Sequence, residues 1–355
     1  MEAFINGMSA ISPQITFTCE KLLQEVMEYD KVRYLKCIEP QYKEFIDAMA
    51  SRRMSRIIKM GVTSALKCLY DAGIKNPDVI IAGTGLGCIE DTEKFLNIMY
   101  TNEEKLLNPT NFIQSTHNTV ASTIALMLNC HNYNNTYVHR GFSFESALLD
   151  GLMFLQEGSA NTVLVGGLDE LTTNSFIITD RLHFWKKTSI NNLNLLDYKT
   201  KGSLAGEGAA FFALNSQKTE RSIAKIISLN TFYKPEGFSE IEEKISTFIQ
   251  KNAGDADKID LILMGMNGDL LMDKIYYHLK NSLFNHIPCA YFKHLCGEYD
   301  TSSSFALYLA SSILKEHNVP VVVRLDNKPI NEIRNILIYN HLRNVNHSLI
   351  LLSSC

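Results

Sequence analysis

No run of apolar residues in this 355-residue chain reaches the roughly 18 positions of a membrane-spanning helix. No long basic tract is present either. The 34 basic and 38 acidic side chains leave a formal charge of −4, which argues against nucleic acid as the main partner. Residues 1–14 lack the basic start and long apolar stretch of a signal peptide and read instead as a strand entering a fold. No segment is rich enough in proline, serine or glycine to be a linker. The eight cysteines (Cys19, Cys37, Cys68, Cys88, Cys130, Cys289, Cys296 and Cys355) form no CxxC pair, and none has zinc-ligand spacing with a histidine. Scattered thiols of this kind imply a reducing cytoplasm, small apolar packing roles and no metal or cofactor.

What is present is the composition of a globular chain, 46% hydrophobic and 20% charged, which excludes a disordered or fibrous protein. Strands and helices alternate, predicting an α/β architecture. Residues 3–9 read as a first strand. Met54, Ile58, Val62, Ala65, Leu69 and Ala72 recur at helical spacing, with Gly73 as the stop. Strands are expected at 79–82, 135–138, 162–165 and 209–214, and helices at 116–129 and 143–157. The second part repeats the rhythm: strands at 223–229, 259–264, 288–292 and 320–325, and helices at 240–251, 270–283 and 301–316. Residues 335–341 and 347–353 read as a terminal hairpin. Two βαβ-type halves, 1–215 and 216–355, point to an internal duplication within one compact unit.

The turn Gly83-Thr84-Gly85-Leu86-Gly87 follows a strand, but its spacing is not GxGxxG. Asp91 also comes too soon to serve as a ribose-binding acid. The turn is therefore expected to use its glycines for close passage past its neighbours.

Several segments together resemble the β-ketoacyl synthases of the thiolase superfamily. Arg53–Ile74 is similar to the family's first long helix, and Asn108-Pro109 through Asn118-Thr119-Val120-Ala121 to its Asn-x-Val-Ala segment. Leu164-Val165-Gly166-Gly167 resembles the Val-Gly-Gly strand end, and Gly206-Glu207-Gly208-Ala209-Ala210 the Gly-Glu-Gly-Ala strand entry. Lys293 with Gly297 resembles the step into the second catalytic histidine, and the last 16 residues the final hairpin. The markers follow the family's order over nearly the whole chain. The resemblance implies a thiolase-like fold of duplicated βαβαβ halves in a layered α/β/α/β/α architecture, and a dimer. It also implies a chemistry in which a cysteine at a buried helix N-terminus carries the acyl group while two histidines support decarboxylation.

This chain departs from that pattern at each catalytic position. Counting back from Gly167 places the nucleophile at Gly141, and no cysteine lies between Cys130 and Cys289. The first histidine position is Met264 and the second is Glu298, while Lys293 is retained. A thioether is not an acid, and a carboxylate repels an enolate. His294 is a candidate substitute in another register. The family's glycine gate becomes His341-Leu342-Arg343-Asn344. The expectation is a catalytically inactive subunit resembling the chain length factors of aryl polyene, flexirubin and dialkylresorcinol pathways. It would pair as a heterodimer with an active ketosynthase and meet an acyl carrier protein.

Two alternatives stand beside it. One is an active acyltransferase or condensing enzyme of the same fold that uses Ser143, activated by His139. The other is a homodimeric acyl-binding protein. The structural reading of Ser143 is a helix cap, with Glu145 complementing the dipole. Arg140 is a candidate ion-pair partner of Glu145 or Glu298. By the resemblance, Phe112, Ile113 and His117 lie at the dimer interface, where they, with His139 and Phe142, are candidate tunnel or interface residues. Met264, Met266 and Met272 read as core. Lys186-Lys187 and Lys199 with Lys201 are candidate carrier-protein contacts.

Overall fold

The computed structural model describes residues 2–19 and 21–355. Its elements run β1 (Ala3–Ile11), α1 (Ala48–Ser51), α2 (Arg56–Ala72), β2 (Val79–Gly83), α3 (Ile89–Thr101), α4 (Pro109–Gln114), α5 (Thr119–Leu128), β3 (Tyr133–Tyr137), α6 (Ser143–Gln156), β4 (Thr162–Asp169), α7 (Thr173–Arg181) and β5 (Gly208–Asn215). The chain continues through β6 (Ala224–Tyr233), α8 (Phe238–Asn252), β7 (Leu261–Met264), α9 (Lys274–Asn281), β8 (Cys289–Tyr291), α10 (Lys293–Cys296), α11 (Ser302–Glu316), β9 (Asn335–Leu342) and β10 (Asn346–Ser354).

The strands form one sheet in the order β3-β2-β4-β5-β1-β6-β10-β9-β7-β8. From the centre outward, each half has its first, fifth, fourth, second and third strand in turn. The two halves also share pairing directions. In both, the first and fifth strands and the fourth and fifth strands are antiparallel, while the fourth and second and the second and third are parallel. Antiparallel pairing of Ala3–Ile5 with Ala224–Ile226 joins the halves.

Side-chain alternation along the strands generates the layers. In β4, Val163 and Val165 face a central helical layer with α6 and α11, while Leu164 and Leu168 face α2 and α5. In β7, Leu261 and Leu263 face the same central layer, while Ile262 and Met264 face α8 and α9. The result is helix, sheet, helix, sheet, helix, as the resemblance implies. Gly73 ends α2 in the left-handed conformation (φ 70°), its N–H donating to the carbonyls of Leu69 and Tyr70.

Several elements differ from the sequence expectations. Residues 116–129 hold only α5, with α4 a separate turn before it, because Asn108 caps a new helix at Pro109. The helix expected at 270–283 shortens to α9, since the Asp269 and Asp273 carboxylates take backbone N–H groups of residues 267–272 into a loop. Residues 321–323 form a 3₁₀ turn rather than a strand. Helices α3 and α7 carry no strong apolar stripe and were not expected.

The central layer should dominate stability. Phe212 is fully buried there, 5.9 Å from the Phe144 ring centroid. Phe212→Ala is expected to cost about 3–5 kcal/mol, measured by urea unfolding. A loss below about 1 kcal/mol would contradict a tightly packed central layer.

Candidate functional site

The turn before α6 is where the expected nucleophile position falls. Arg140 opens it in the left-handed conformation (φ 50°). Gly141 follows, buried beneath Leu342, the last residue of β9. A Cβ at position 141 would lie 2.8 Å from Leu342 Cβ and from Leu342 Cδ2. The position therefore lacks both a reactive group and the space for one. Ser143 is the first residue of α6, not its cap. Its buried Oγ accepts a hydrogen bond from the His139 backbone N–H at 2.8 Å. The His139 imidazole instead meets the edge of Phe142, with ring centroids 5.8 Å apart. The sequence pairing of Ser143 with a His139 base is thus not formed.

The two positions that the resemblance assigns to histidines are both buried. Met264 is fully buried in the layer facing α8 and α9. Glu298 lies in a buried ion pair, with Lys293 Nζ 2.9 Å and 2.8 Å from its carboxylate oxygens. Asn267 Nδ2 donates to Glu298 Oε2 at 2.7 Å and fixes the carboxylate. His294 is buried against Tyr291, neither ring nitrogen has a hydrogen-bond partner, and burial lowers it to about 3. It is not a substitute for the missing histidines. His341 of the gate segment stacks on Tyr276 and His347 of β10 on Phe232, both histidines buried and held neutral by that burial.

Beside these residues is a cavity of about 330 Å³. Phe184, Trp185, Tyr299 and Leu342 supply apolar wall; Asp169, Glu170, Asp269, Glu298 and Asp300 supply acid. Asp300 sits against Gly85, where a Cβ would lie 2.0 Å from its Oδ2. Gly83 likewise passes the α6 N-terminus, 2.4 Å from the Ser143 carbonyl oxygen by the same measure. Close passage is therefore what the glycine turn provides. Asp169 accepts from the Thr84 and Thr301 hydroxyls and from the Gly85 and Thr301 N–H groups. Burial, then the charge of Asp300, still push it above the usual carboxylate range. Burial raises Glu170 to about 8.

Arg140 pairs with Asp300 at 3.6 Å, not with Glu145 or Glu298. Glu145 is buried without a hydrogen-bond partner on either oxygen, and burial raises its carboxyl. It is thus no counter-ion for a surface arginine. Asp300 is at hand because α11 begins directly after it.

The other expected site residues lie elsewhere. Phe112 and Ile113 are exposed at 57% and 61% on α4, and His117 is exposed beside Gly87. Phe142 is buried. None of these, nor His139, lines the cavity. Lys186 is fully buried, its Nζ donating to backbone carbonyls of Tyr198, Thr200 and Gly268, which removes it as a docking lysine. Lys187, Lys199 and Lys201 are exposed. Met264 and Met266 are core, whereas Met272 lines the cavity. Sequence reasoning missed Asp169, Glu170 and Asp300. The signal for the first two was an acidic pair one residue beyond Gly166-Gly167, at the end of β4.

The lining hydroxyls are occupied: Ser175 closes the α7 capping box with Thr172, and Ser203 Oγ donates to the Phe184 carbonyl. Among the described residues, no group of three or more His, Cys, Asp or Glu is placed to hold a metal ion. Nor is any helix among them long and apolar enough to cross a membrane. At Ser143 the only hydrogen bond to the hydroxyl among the described residues comes from the His139 backbone N–H.

Comparison with known proteins agrees with the fold. Residues 31–179 match the family model of the β-ketoacyl synthase N-terminal domain. A 3-oxoacyl-[acyl-carrier-protein] synthase homolog of Saccharomyces cerevisiae is 21% identical over 192 residues, 50% of this chain and 43% of the yeast protein. The chain thus spans under half the length of that curated relative. The ishigamide ketosynthase/chain length factor superposes with a TM-score of 0.81 at 15% identity, covering 100% of this chain and 99% of that one. A ketosynthase in complex with its chain length factor from Xenorhabdus doucetiae gives 0.76 at 13% identity, covering 99% and 98%.

Two outcomes follow for the site. Glu298→Gln leaves the Lys293 charge buried and unpaired, and is expected to cost about 3–5 kcal/mol in urea unfolding. Replacing both with methionine should regain most of that, whereas a single-variant loss below about 1 kcal/mol would deny the pair its structural role. Glu170 holds a proton in the folded chain that the unfolded chain releases from about 4.5 upward. Its contribution to stability is therefore present at low pH and lost as pH rises through about 8. Glu170→Gln should flatten the decline in melting temperature between those limits, and an unchanged profile would contradict the raised carboxyl.

Proposed function

We propose that this chain, which is similar in fold to ketosynthases and matches their N-terminal domain model over residues 31–179, is a non-condensing subunit. It pairs with an active β-ketoacyl synthase and helps set acyl chain length, as a chain length factor does. The observation that carries this reading is the packing of Leu342 over Gly141. The nucleophile position of the resembled family is filled by a neighbouring side chain. Met264 and the Lys293–Glu298 ion pair support the same reading at the histidine positions.

Pairing has a physical basis on one sheet edge. The outer strand β8 is buried, with the 320–325 segment against it through the Leu325 N–H to the Cys289 carbonyl. The other outer strand, β3, is only partly buried and leaves its edge open. Around it Leu126, Val138, Leu149 and Met153 are exposed. An open strand edge flanked by apolar side chains is a surface that a second chain covers.

In this role the chain contributes walls and an interface, not bond making, and the acyl carrier protein delivers substrate to the partner. Polyene or fatty acyl synthesis of the aryl polyene or flexirubin type is the pathway class proposed. The alternative with Ser143 as nucleophile finds no support, since its hydroxyl is buried and no base reaches it.

The test is co-expression with a ketosynthase that retains Cys-His-His. A one-to-one complex is expected, with malonyl-dependent chain extension only when both subunits are present. Met153→Asp, at the β3 surface, should weaken the complex at least tenfold without changing the fold of the chain alone. Extension products formed by this chain alone would overturn the proposal.

A further inference from the structure

A separate cavity, of about 1010 Å³, lies at the opposite end of the sheet from the candidate site. Strand β5 spans the distance. Its Gly208 pairs with Asp169 beside the site, and its Asn215 pairs with Phe4, next to this basin's Asn6. No lining residue is shared with the site cavity. The floor is β1 at Asn6, Met8 and Ser9. One wall is the end of α2 with the 220–222 turn, joined where Arg221 donates to the Asp71 carbonyl at 3.0 Å. The other is the end of α11 with Thr16 and Leu22, joined where the Leu22 N–H donates to Glu316 Oε1 at 2.6 Å.

The hydroxyls of this basin have their protons committed inward. Ser312 Oγ donates to the Tyr308 carbonyl at 2.8 Å, Tyr308 Oη to the Thr16 carbonyl at 3.1 Å, and Ser222 Oγ to Asn6 Oδ1 at 2.8 Å. Each of these oxygens keeps lone pairs for a further donor. Ser9, 4% exposed, lines the same basin, and its Oγ has no hydrogen-bond partner among the described residues. A buried hydroxyl without a partner is uncommon and calls for one.

The charged side chains nearly cancel on each wall. On the first, Lys67 is paired with Asp71, and Arg221 adjoins Glu220. On the second, Lys21, Lys315 and His317 stand with Glu316. Neither wall offers a cluster of one sign that would select an ion. Between the polar groups lie the apolar surfaces of Met8, Phe17, Leu22 and Ile223, and Tyr70 stands 80% exposed beside them.

We infer that this basin binds an uncharged polyhydroxylated ligand, a sugar or a cyclic polyol. Ligand hydroxyls donate to the floor oxygens, the lysine and arginine donors of the walls meet ligand oxygens, and the Tyr70 ring offers a face to the ligand's C–H surface. The inference concerns this end of the molecule alone and does not rest on pairing with a ketosynthase.

The test is saturation-transfer NMR from the purified chain to maltose, glucose and myo-inositol, followed by titration calorimetry. Melting temperature is not the readout, because polyols stabilise folded chains generally by exclusion from their surface. Saturable binding of at least one of the three is expected, with a Kd on the order of 1 mM, and glucuronate and glucosamine should bind no tighter than glucose. Tyr70→Ala changes an exposed side chain and should weaken binding about tenfold. Ser9→Ala removes only the unpaired hydroxyl and should weaken it about threefold. Both variants should keep the circular dichroism of the parent chain. A loss confined to one of them still places the ligand in the basin. Absence of saturable binding to all three probes, tighter binding of a charged analogue, or an affinity indifferent to both variants would overturn the inference.

Discussion

Leu342 on Gly141 is the contact around which the site is arranged. It requires that the β9–β10 turn press onto the start of α6, and that residue 141 have no side chain. It also fixes which surfaces remain open. With the α6 N-terminus covered, the space beside it is bounded by Asp300, Arg140 and Arg343 and not by a nucleophile. A cysteine at 141 would need a shift of the hairpin, so the position is closed by packing as well as by residue type.

A second constraint reinforces the first. Lys293 and Glu298 form an ion pair in the interior, tied to Asn267 and, through the Lys293 Nζ, to the His341 carbonyl. Such a pair contributes little net stability, but losing one partner is costly. It therefore locks the loop after β8 to the end of β9. The buried Tyr276, Tyr339, His341 and His347 rings fill the volume on the other side of that lock. Rings stacked in this way make the gate segment a packed part of the core.

Much of the fold was legible in the sequence, for a physical reason. Strands such as β4 and β7 are continuous apolar runs buried on both faces, and glycines follow directly where neighbours approach closely. The departures from the resembled pattern at 141, 264 and 298 are readings of the sequence alone. What was not legible depends on distant partners. Asp300 meets Arg140 only because α11 starts beneath Gly85. Charge alone matches Arg140 to Glu145 or Glu298, and no local pattern marks Lys186 as a lysine satisfied by backbone carbonyls. Helices α3 and α7 escaped notice because their apolar residues line a groove and are not sunk in a core.

The measurement that most directly tests the account is the intact mass of the chain after incubation with an acyl-loaded carrier protein, alone and beside an active ketosynthase. The account predicts that this chain keeps its mass under both conditions while the partner gains the acyl group. An acyl mass on this chain, above all one mapped to Ser143, would contradict it.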